Sequence, residues 1–574
     1  MTTPAPNRKW STWVWARRSV QILSLGTFLW LVLGTDLSPA RPGDASGLPM
    51  PVRVFFELDP FLALSTLLGT GILYKGLVLA LLTAAVTLVL GRVFCGWLCP
   101  LGTLQHAVAW LRRKLPAGRR RARNTWHPAQ RTKYGVLLAA LGAALAGSSL
   151  VALLDPIAIA FRGLALSVMP AVGHAARRTM DALYAADYPL AYGGDGIRYL
   201  IAQGWLPYRD AVFQSSLLIG GLLLAVLGLS LWRPRFFCRF ACPLGALLGL
   251  FSRFSILWLR KDPSRCNACR KCLDHCQGAD GPEDGVPWRK AECHVCLNCV
   301  ASCPEKALQF QFSARGLPSP DPNRALQGAA AGEAQPRAEA RGSDGEARSA
   351  PAPAPLVTID TRRRTLVAAF ASGIVAVPLL RTSPLFAGAP DPLRIRPPGA
   401  RPEREFLARC VRCGECMKVC PTNALHPAVG EAGVEGLWTP VLVPRIGACQ
   451  PGCTLCGQVC PTGAIRRFTS ERKLGADGHP PLRIGTAKLD RGSCIPWATG
   501  QTCTVCEEFC PTSPKAIRLD PGETPSAPLL PVVVPERCNG CGACEHVCPL
   551  APSPAIVVTA TGESRADEHD VLGR

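Results

Sequence analysis

Apolar residues crowd the first 260 positions of this 574-residue chain, and a more polar, punctuated pattern follows. Four runs read as helices able to cross a bilayer core: residues 19–33, 76–94, 134–154 and 213–232. The first is the shortest and could serve instead as a signal peptide. Beyond residue 260 the apolar runs shorten. Val-rich segments at 441–443 and 532–534, and Ala-Ile pairs at 464–465 and 516–517, flank cysteine-rich loops as short strands would.

Charge orients these spans. A formal +22 would suit a nucleic-acid partner, but the basic residues lie in three tracts. Residues 1–18 hold four basic and no acidic side chains, 112–133 hold nine and none, and 233–261 hold six and none; the intervening loops 36–71 and 155–211 are balanced or acidic. In a four-span topology all three tracts face one side. This positive-inside pattern argues against nucleic acid and places the N-terminus in the cytoplasm of a bacterial inner (cytoplasmic) membrane, multi-pass.

The membrane region repeats internally. Asp59-Pro60 follows the first span and Cys95-Gly96-Trp97-Leu98-Cys99-Pro100-Leu101-Gly102 closes the second; Asp155-Pro156 follows the third and Cys238-Arg239-Phe240-Ala241-Cys242-Pro243-Leu244-Gly245 closes the fourth. A pseudo-twofold axis along the membrane normal would bring Cys95, Cys99, Cys238 and Cys242 together. Four thiols at one spot could hold a metal or cycle between dithiol and disulfide, whereas separate pairs would simply pack helix ends.

The other 24 of the 28 cysteines form six groups of four. Cys266, Cys269, Cys272, Cys276 and Cys293, Cys296, Cys299, Cys303 both have the Cys-x2-Cys-x2-Cys-x3-Cys spacing that wraps three irons of a cubane and sends the fourth cysteine to a neighbouring cluster. We therefore group Cys266, Cys269 and Cys272 with Cys303, and Cys293, Cys296 and Cys299 with Cys276. Four further groups each end in Cys-Pro: Cys410, Cys413, Cys416, Cys420; Cys449, Cys453, Cys456, Cys460; Cys494, Cys503, Cys506, Cys510; and Cys538, Cys541, Cys544, Cys548. The outer two of these are regular, which suggests a nested pairing and leaves sequential pairing open. Structural zinc favours separated Cys-x2-Cys pairs, and a disulfide framework has no reason to repeat this run. Six [4Fe-4S] clusters would bring about 24 iron and offset the formal charge by about −2 each when oxidised.

Phe55-Phe56-Glu57-Leu58-Asp59-Pro60 and the paired Cys-x3-Cys-Pro-Leu-Gly motifs, followed by a two-cluster segment, resemble the NapH/NosR family of membrane ferredoxins. Residues 401–555, led in by Arg396-Pro397-Pro398-Gly399 and including the Cys-x8-Cys opening at Cys494, look like NapG. The resemblance implies a NapH-like and a NapG-like protein fused end to end. It also implies a quinol-oxidising electron-transfer unit, a component of a quinol dehydrogenase rather than a stand-alone catalyst. No flavin-binding region of the NosR type is visible.

The expected architecture is multi-domain: an α-helical membrane domain of four spans in two repeats (1–260), an α+β bacterial-ferredoxin-like two-cluster module (261–312), a disordered linker (313–356), a signal or anchor (357–389), a four-cluster module (390–560) and a tail (561–574). The linker is rich in Ala, Pro, Gly, Glu and Arg, with a reach of roughly 36 Å. Thr361-Arg362-Arg363-Arg364-Thr365-Leu366 then precedes an apolar run over 367–380, with Ala387-Gly388-Ala389 beyond. This is the layout of a twin-arginine export signal, here internal. Cubanes are assembled in the cytoplasm, so a module carrying them needs a folded-protein route to the periplasm. The competing reading is a buried or interfacial helix too short to span.

Haem is not expected, because His106, His127 and His174 fall at or beyond span ends. His275, His294 and His546 sit beside cluster cysteines, where they would be solvated or tune potentials. Two functions fit. One is a conduit from the quinone pool through the clusters to a periplasmic reductase or cytochrome. The other is an accessory factor supporting maturation or regulation of a partner enzyme. No side chain identifies a quinone pocket or a catalytic group.

Overall fold

The computed structural model describes residues 8–37, 52–72, 78–111, 116–185, 191–202, 211–262, 264–267, 269–278, 288–312, 359–382, 391–475, 480–522 and 528–565. Its apolar body is built from helices α1 (Arg8–Leu37), α2 (Pro60–Thr70), α3 (Leu79–Leu90), α4 (Pro100–Trp110), α5 (Thr132–Leu145), α6 (Pro156–Tyr184), α7 (Ser216–Trp232) and α8 (Pro243–Ser252), joined by α9 (Ile359–Thr382). The linker at 313–356 and the Ala387-Gly388-Ala389 site lie outside the described residues.

Repeated sequence becomes repeated caps. Asp59 accepts from the Phe61 and Leu62 amides (2.7 and 3.2 Å) to start α2, and Asp155 accepts from the Ala158 amide (2.7 Å) to start α6, each with proline at the first helical position. Both aspartates are fully buried. Cys99 and Cys242 cap α4 and α8 in the same way, their sulfurs accepting from the Gly102 and Gly245 amides at 3.5 and 3.2 Å.

The two cysteine-rich modules sit at opposite ends of this body. Helix α5 shows it directly. At its start Lys133 is buried in an ion pair with Glu292 of the first module. Just past its end, the Ser149 amide donates to Leu407 O (3.1 Å) of the second. The 14 residues between span about 21 Å. Helix α9 runs beside α5 in the same direction, with Gly142 against Phe370 and Gly373 against Ala139, so that small residues let the two backbones touch. At its far end Arg381 bonds Ala146 O and Gly147 O (3.3 and 3.0 Å) and pairs with Glu435 of the second module at 2.7 Å.

Several expectations change here. Among the described residues, only α6 and Arg364–Thr382 are long and apolar enough to cross a bilayer; α2, α3, α7 and α8 are shorter apolar helices. The expected spans at 76–94 and 134–154 end early, α3 at Gly91 and α5 just before Gly147, both with positive φ (81° and 78°) that suits glycine. Residues 76 and 77 lie outside the described part. The supposed loop 155–211 instead contains α6, begun by the Asp-Pro cap and continued through a π-helical turn, and a helix Ala191–Ala202. The segment read as too short to span is a 24-residue helix, because its arginine-rich start continues the apolar run and Pro378 does not end it.

Candidate iron–sulfur sites

In the first module, antiparallel strands β1 (Leu257–Lys261) and β2 (Leu308–Phe312) close the chain around two loops. Cys272 lies within electrostatic reach of Cys269 and Cys303, and Cys299 of Cys293, Cys296 and Cys276. Each neighbour set includes the fourth thiol of the other run, Cys303 for Cys272 and Cys276 for Cys299, and Cys272 also lies near Cys299. The module is held to the helical body by Arg92 to Ala291 O (2.9 Å), Trp97 to Val295 O (3.0 Å), Arg239 to Gln277 O (3.1 Å) and Asn124 to Cys276 O (2.8 Å). Gly96 sits so close to the His294 carbonyl that a Cβ would collide with it, which explains glycine between the two cysteines. His294, expected to be solvated or to tune a cluster, is 2% exposed. Burial, then the charges of Arg92, Arg235, Lys133 and Arg239, hold its imidazole well below the usual range, so it is neutral.

Beside this module a cavity of about 270 Å³ opens between α1, α4 and the Cys276 loop, lined among others by Trp15, Arg18, His106, Trp110, His275 and Cys276. Trp15 and Trp110 are 62% and 57% exposed.

The four thiols of the two Cys-x3-Cys-Pro motifs also come together. Cys99 acts electrostatically on Cys238 and Cys95, and Cys242 on Cys238, Cys95 and Cys99. All four are buried. Separate pairs packing helix ends would not require this convergence.

The second module holds three two-stranded sheets, β3 (Leu425–Pro427) with β4 (Pro440–Leu442), β5 (Thr486–Leu489) with β8 (Ile556–Thr559), and β6 (Ile517–Asp520) with β7 (Leu530–Val533). Cys416 neighbours Cys410, Cys413 and Cys460, while Cys456 neighbours Cys449, Cys453 and Cys420. Further on, Cys494 neighbours Cys503 and Cys548, Cys506 neighbours Cys494 and Cys503, and Cys541 neighbours Cys538 and Cys510. These neighbours follow the sequential pairing, the first group with the second and the third with the fourth, and Cys449 also lies near Cys541. Spacing could not show this, because the irregular first ligands arrive on loops that leave the remaining three cysteines in place. The Cys449 amide donates to Cys541 O (2.8 Å), which joins the two pairs into one line.

Buried cations accompany three of these groups. Arg17 faces Cys296, Arg162 faces Cys413, Arg412 faces Cys410, and Lys473 Nζ lies 3.3 Å from Cys449 Sγ. An apolar interior tolerates such cations when an anion answers them, and a ligated cubane is one. The cysteine spacing gave no sign of these partners, and the only signal was basic residues inside otherwise apolar runs. Among the described residues no three His, Cys, Asp or Glu side chains gather round a single-ion site, the ferredoxin runs included.

A family model described as a 4Fe-4S binding domain matches residues 72–118, 216–265 and 456–476, and a second of the same description matches 407–426 and 531–551. The chain is similar to the methylamine utilization ferredoxin-type protein MauM of Methylorubrum extorquens, 40% identical over 29% of this chain and 72% of that protein. It is 35% identical to MauM of Paracoccus denitrificans over 33% of this chain and 79% of that protein. It is also 35% identical to the ferredoxin-type protein NapG of Escherichia coli, over 34% and 84%. No solved structure matches it.

Proposed function

Because the chain belongs to the family of ferredoxin-type proteins that includes MauM and NapG, with iron–sulfur electron transfer as its function, we propose that it carries electrons across a membrane from quinol to a periplasmic reductase or cytochrome. The observation that carries this reading is the placement of two cysteine-rich modules at opposite ends of one apolar helical body. In this reading the body is a NapH-like membrane domain fused to a NapG-like module. The positive-inside pattern sets the first module in the cytoplasm, and α9, parallel to α5, delivers the second to the periplasm. Helix α9 then acts as an anchor retained by its contacts with α5 and Glu435.

Quinol would bind in the cavity beside Cys276. Its aromatic walls suit a ring, and His106 and His275 are placed to take up protons on oxidation. Electrons would enter the cluster of Cys276, Cys293, Cys296 and Cys299. They would reach the second module at the group containing Cys413, which lies against the helical core, and leave from the group containing Cys494 and Cys503.

The six groups would carry about 24 iron. In sealed vesicles a short-chain quinol should reduce clusters of both modules, and protease outside spheroplasts should cut only the second. If dithionite reduces the clusters and quinol reduces none, the conduit reading fails and the accessory, maturation reading gains. Complete protection of the second module would reject its periplasmic placement.

A further inference from the structure

The thiols of Cys95, Cys99, Cys238 and Cys242 converge where the two repeats of the membrane domain meet, and their surroundings are electrically lopsided. Three residues before the first cysteine of each pair stands an arginine, Arg92 or Arg235, and both are 0% exposed. The two cross over. Arg92 reaches the Gly245 turn that follows Cys242, and Arg235 reaches the Gly102 turn that follows Cys99. Arg92 Nη2 stands 4.0 Å from Cys95 Sγ, and Arg235 Nη1 donates to Cys95 O at 2.7 Å. The Nε of Arg92, and the Nε and Nη2 of Arg235, have no hydrogen-bond partner. Glu292, the carboxylate that acts on Arg92, is already taken by Lys133.

Helix ends add to the positive field. The 11-residue α4 and the 10-residue α8 both begin at these cysteines, with Gly102 and Gly245 amides aimed at the sulfurs. Two buried guanidiniums with unmet donors and two helix N-termini ask for an anion of about −2 charge. Four protonated thiols supply none, and neither does a pair of disulfides. An iron–sulfur cluster on four thiolates carries about −2 when oxidised. A single divalent ion on the same thiolates would carry that charge as well, and the iron and zinc counts of the test below tell the two apart.

We propose that Cys95, Cys99, Cys238 and Cys242 hold one iron–sulfur cluster shared by the two repeats, with Arg92 and Arg235 as its counter-ions. Resting on the conduit reading above, it is the relay between the modules. It accepts one electron from the inner clusters, passes one to the group containing Cys413, and makes or breaks no bond.

The test uses the full chain, purified without oxygen in detergent. Wild type should hold about 28 iron if the seventh cluster is a cubane, and the variants C95S/C99S, C238S/C242S and the fourfold serine variant should each lose the same amount, about 4 iron. Equal losses require one shared cluster. Unchanged iron, additive losses, or one zinc per chain would overturn the assignment. Should the serine variants fold poorly, Arg92→Gln and Arg235→Gln keep the ligands. Each should lower the midpoint potential of one spectroscopic cluster signal and leave the others in place; no shift in either would count against the counter-ion role. Transfer is read separately. If the fourfold variant loses its iron and quinol reduction of the outer clusters falls at least tenfold, the relay stands. Iron lost with transfer intact sinks the relay and keeps the cluster, whereas iron and transfer both unchanged sinks the cluster and leaves the six-cluster conduit standing.

Discussion

The two cysteine-rich modules solve the same problem with different walls. In the first, called inner after its place in the proposed conduit, only Cys296 of eight cysteines is buried; in the second, called outer, nine of sixteen are. The inner module has a single two-stranded sheet and takes much of its enclosure from the helical body through Arg92, Trp97, Asn124 and Arg239. The outer module buries more side chains of its own, with Phe406, Val459, Ile465 and Ile556 packed among its cysteines, and Leu166, Phe213 and Ile219 of the helical body complete that core. A small domain that cannot bury enough surface alone must borrow it. The inner module should therefore depend on its docking contacts, and the outer one on its internal network.

The most damaging way to probe that contrast is Glu292→Ala. It strands the Lys133 ammonium, 0% exposed, without its carboxylate, a change that costs about 3–5 kcal/mol. The variant should lose the iron of the inner module, about 8 per chain, and keep that of the outer four groups. Equal loss from both modules would show that they fold as one unit.

The outer module's counterpart is Glu403, clamped by Arg396 at 2.6 Å and Arg565 at 2.7 Å. Burial raises its pKa, but Arg396, then Arg565 and Arg394, outweigh burial and bring it from 4.5 down to about 2. A depressed carboxylate pKa stabilises the fold fully above about 4.5 and loses that contribution as pH falls toward about 2, here about 3 kcal/mol. Glu403→Gln should lower stability by about that amount at neutral pH and flatten the acid limb of the unfolding curve between those values. An unchanged acid limb would remove Glu403 as the acid-labile tie. The same network draws in residues 561–565, expected to be tail: Arg565 bonds Glu403, and Thr561 O accepts from Thr486.

How much of this was legible follows from what spacing encodes. Ligand loops are local, so runs such as Cys293 to Cys303 announced themselves, and the short strands beside them did too. Pairing between distant runs is not local, and the nested order suggested by regular spacing gave way to the sequential order of Cys460 with Cys410 and Cys420 with Cys449. The convergence of the membrane thiols was visible as a repeat. The arginines that surround them were not, because Arg235 read as a member of the basic tract 233–261, whose usual place is the membrane surface, and Arg92 fell near the end of the expected span 76–94. Helix α6 was missed for a related reason. Arg177, Arg178 and Asp181 make its second half look like a loop, although Asp155-Pro156 had already marked its start.

Weaker than either clamp, but aimed at the helix that links the modules, is Gly373→Leu. A Cβ at this position meets the Ala139 backbone, so α9 must move away from α5, at about 1–3 kcal/mol. The outer module should keep its iron and, after proteolysis between residues 313 and 356, come away with α9 from the helical body more easily. No change in release would mean that α9 does not depend on α5.

The smallest effect is expected at the end of α9. Arg381 pairs with Glu435 in a two-oxygen grip (2.7 and 2.8 Å), but the arginine is 30% exposed, so solvent screens much of the attraction and the pair contributes about 1 kcal/mol. The same guanidinium also bonds Ala146 O and Gly147 O, so it fastens α9 to the helical body as well as to the outer module. A double-mutant cycle of Arg381→Ala and Glu435→Ala separates these roles. If the module is held through the pair, the two losses overlap and the coupling is about 1 kcal/mol; if the carbonyl bonds dominate, Arg381→Ala costs as much in the Glu435→Ala background as in wild type. The second result would place the outer module's attachment in the Ser149–Leu407 and Arg412–Ser149 contacts, where its first cysteine group meets the helical body.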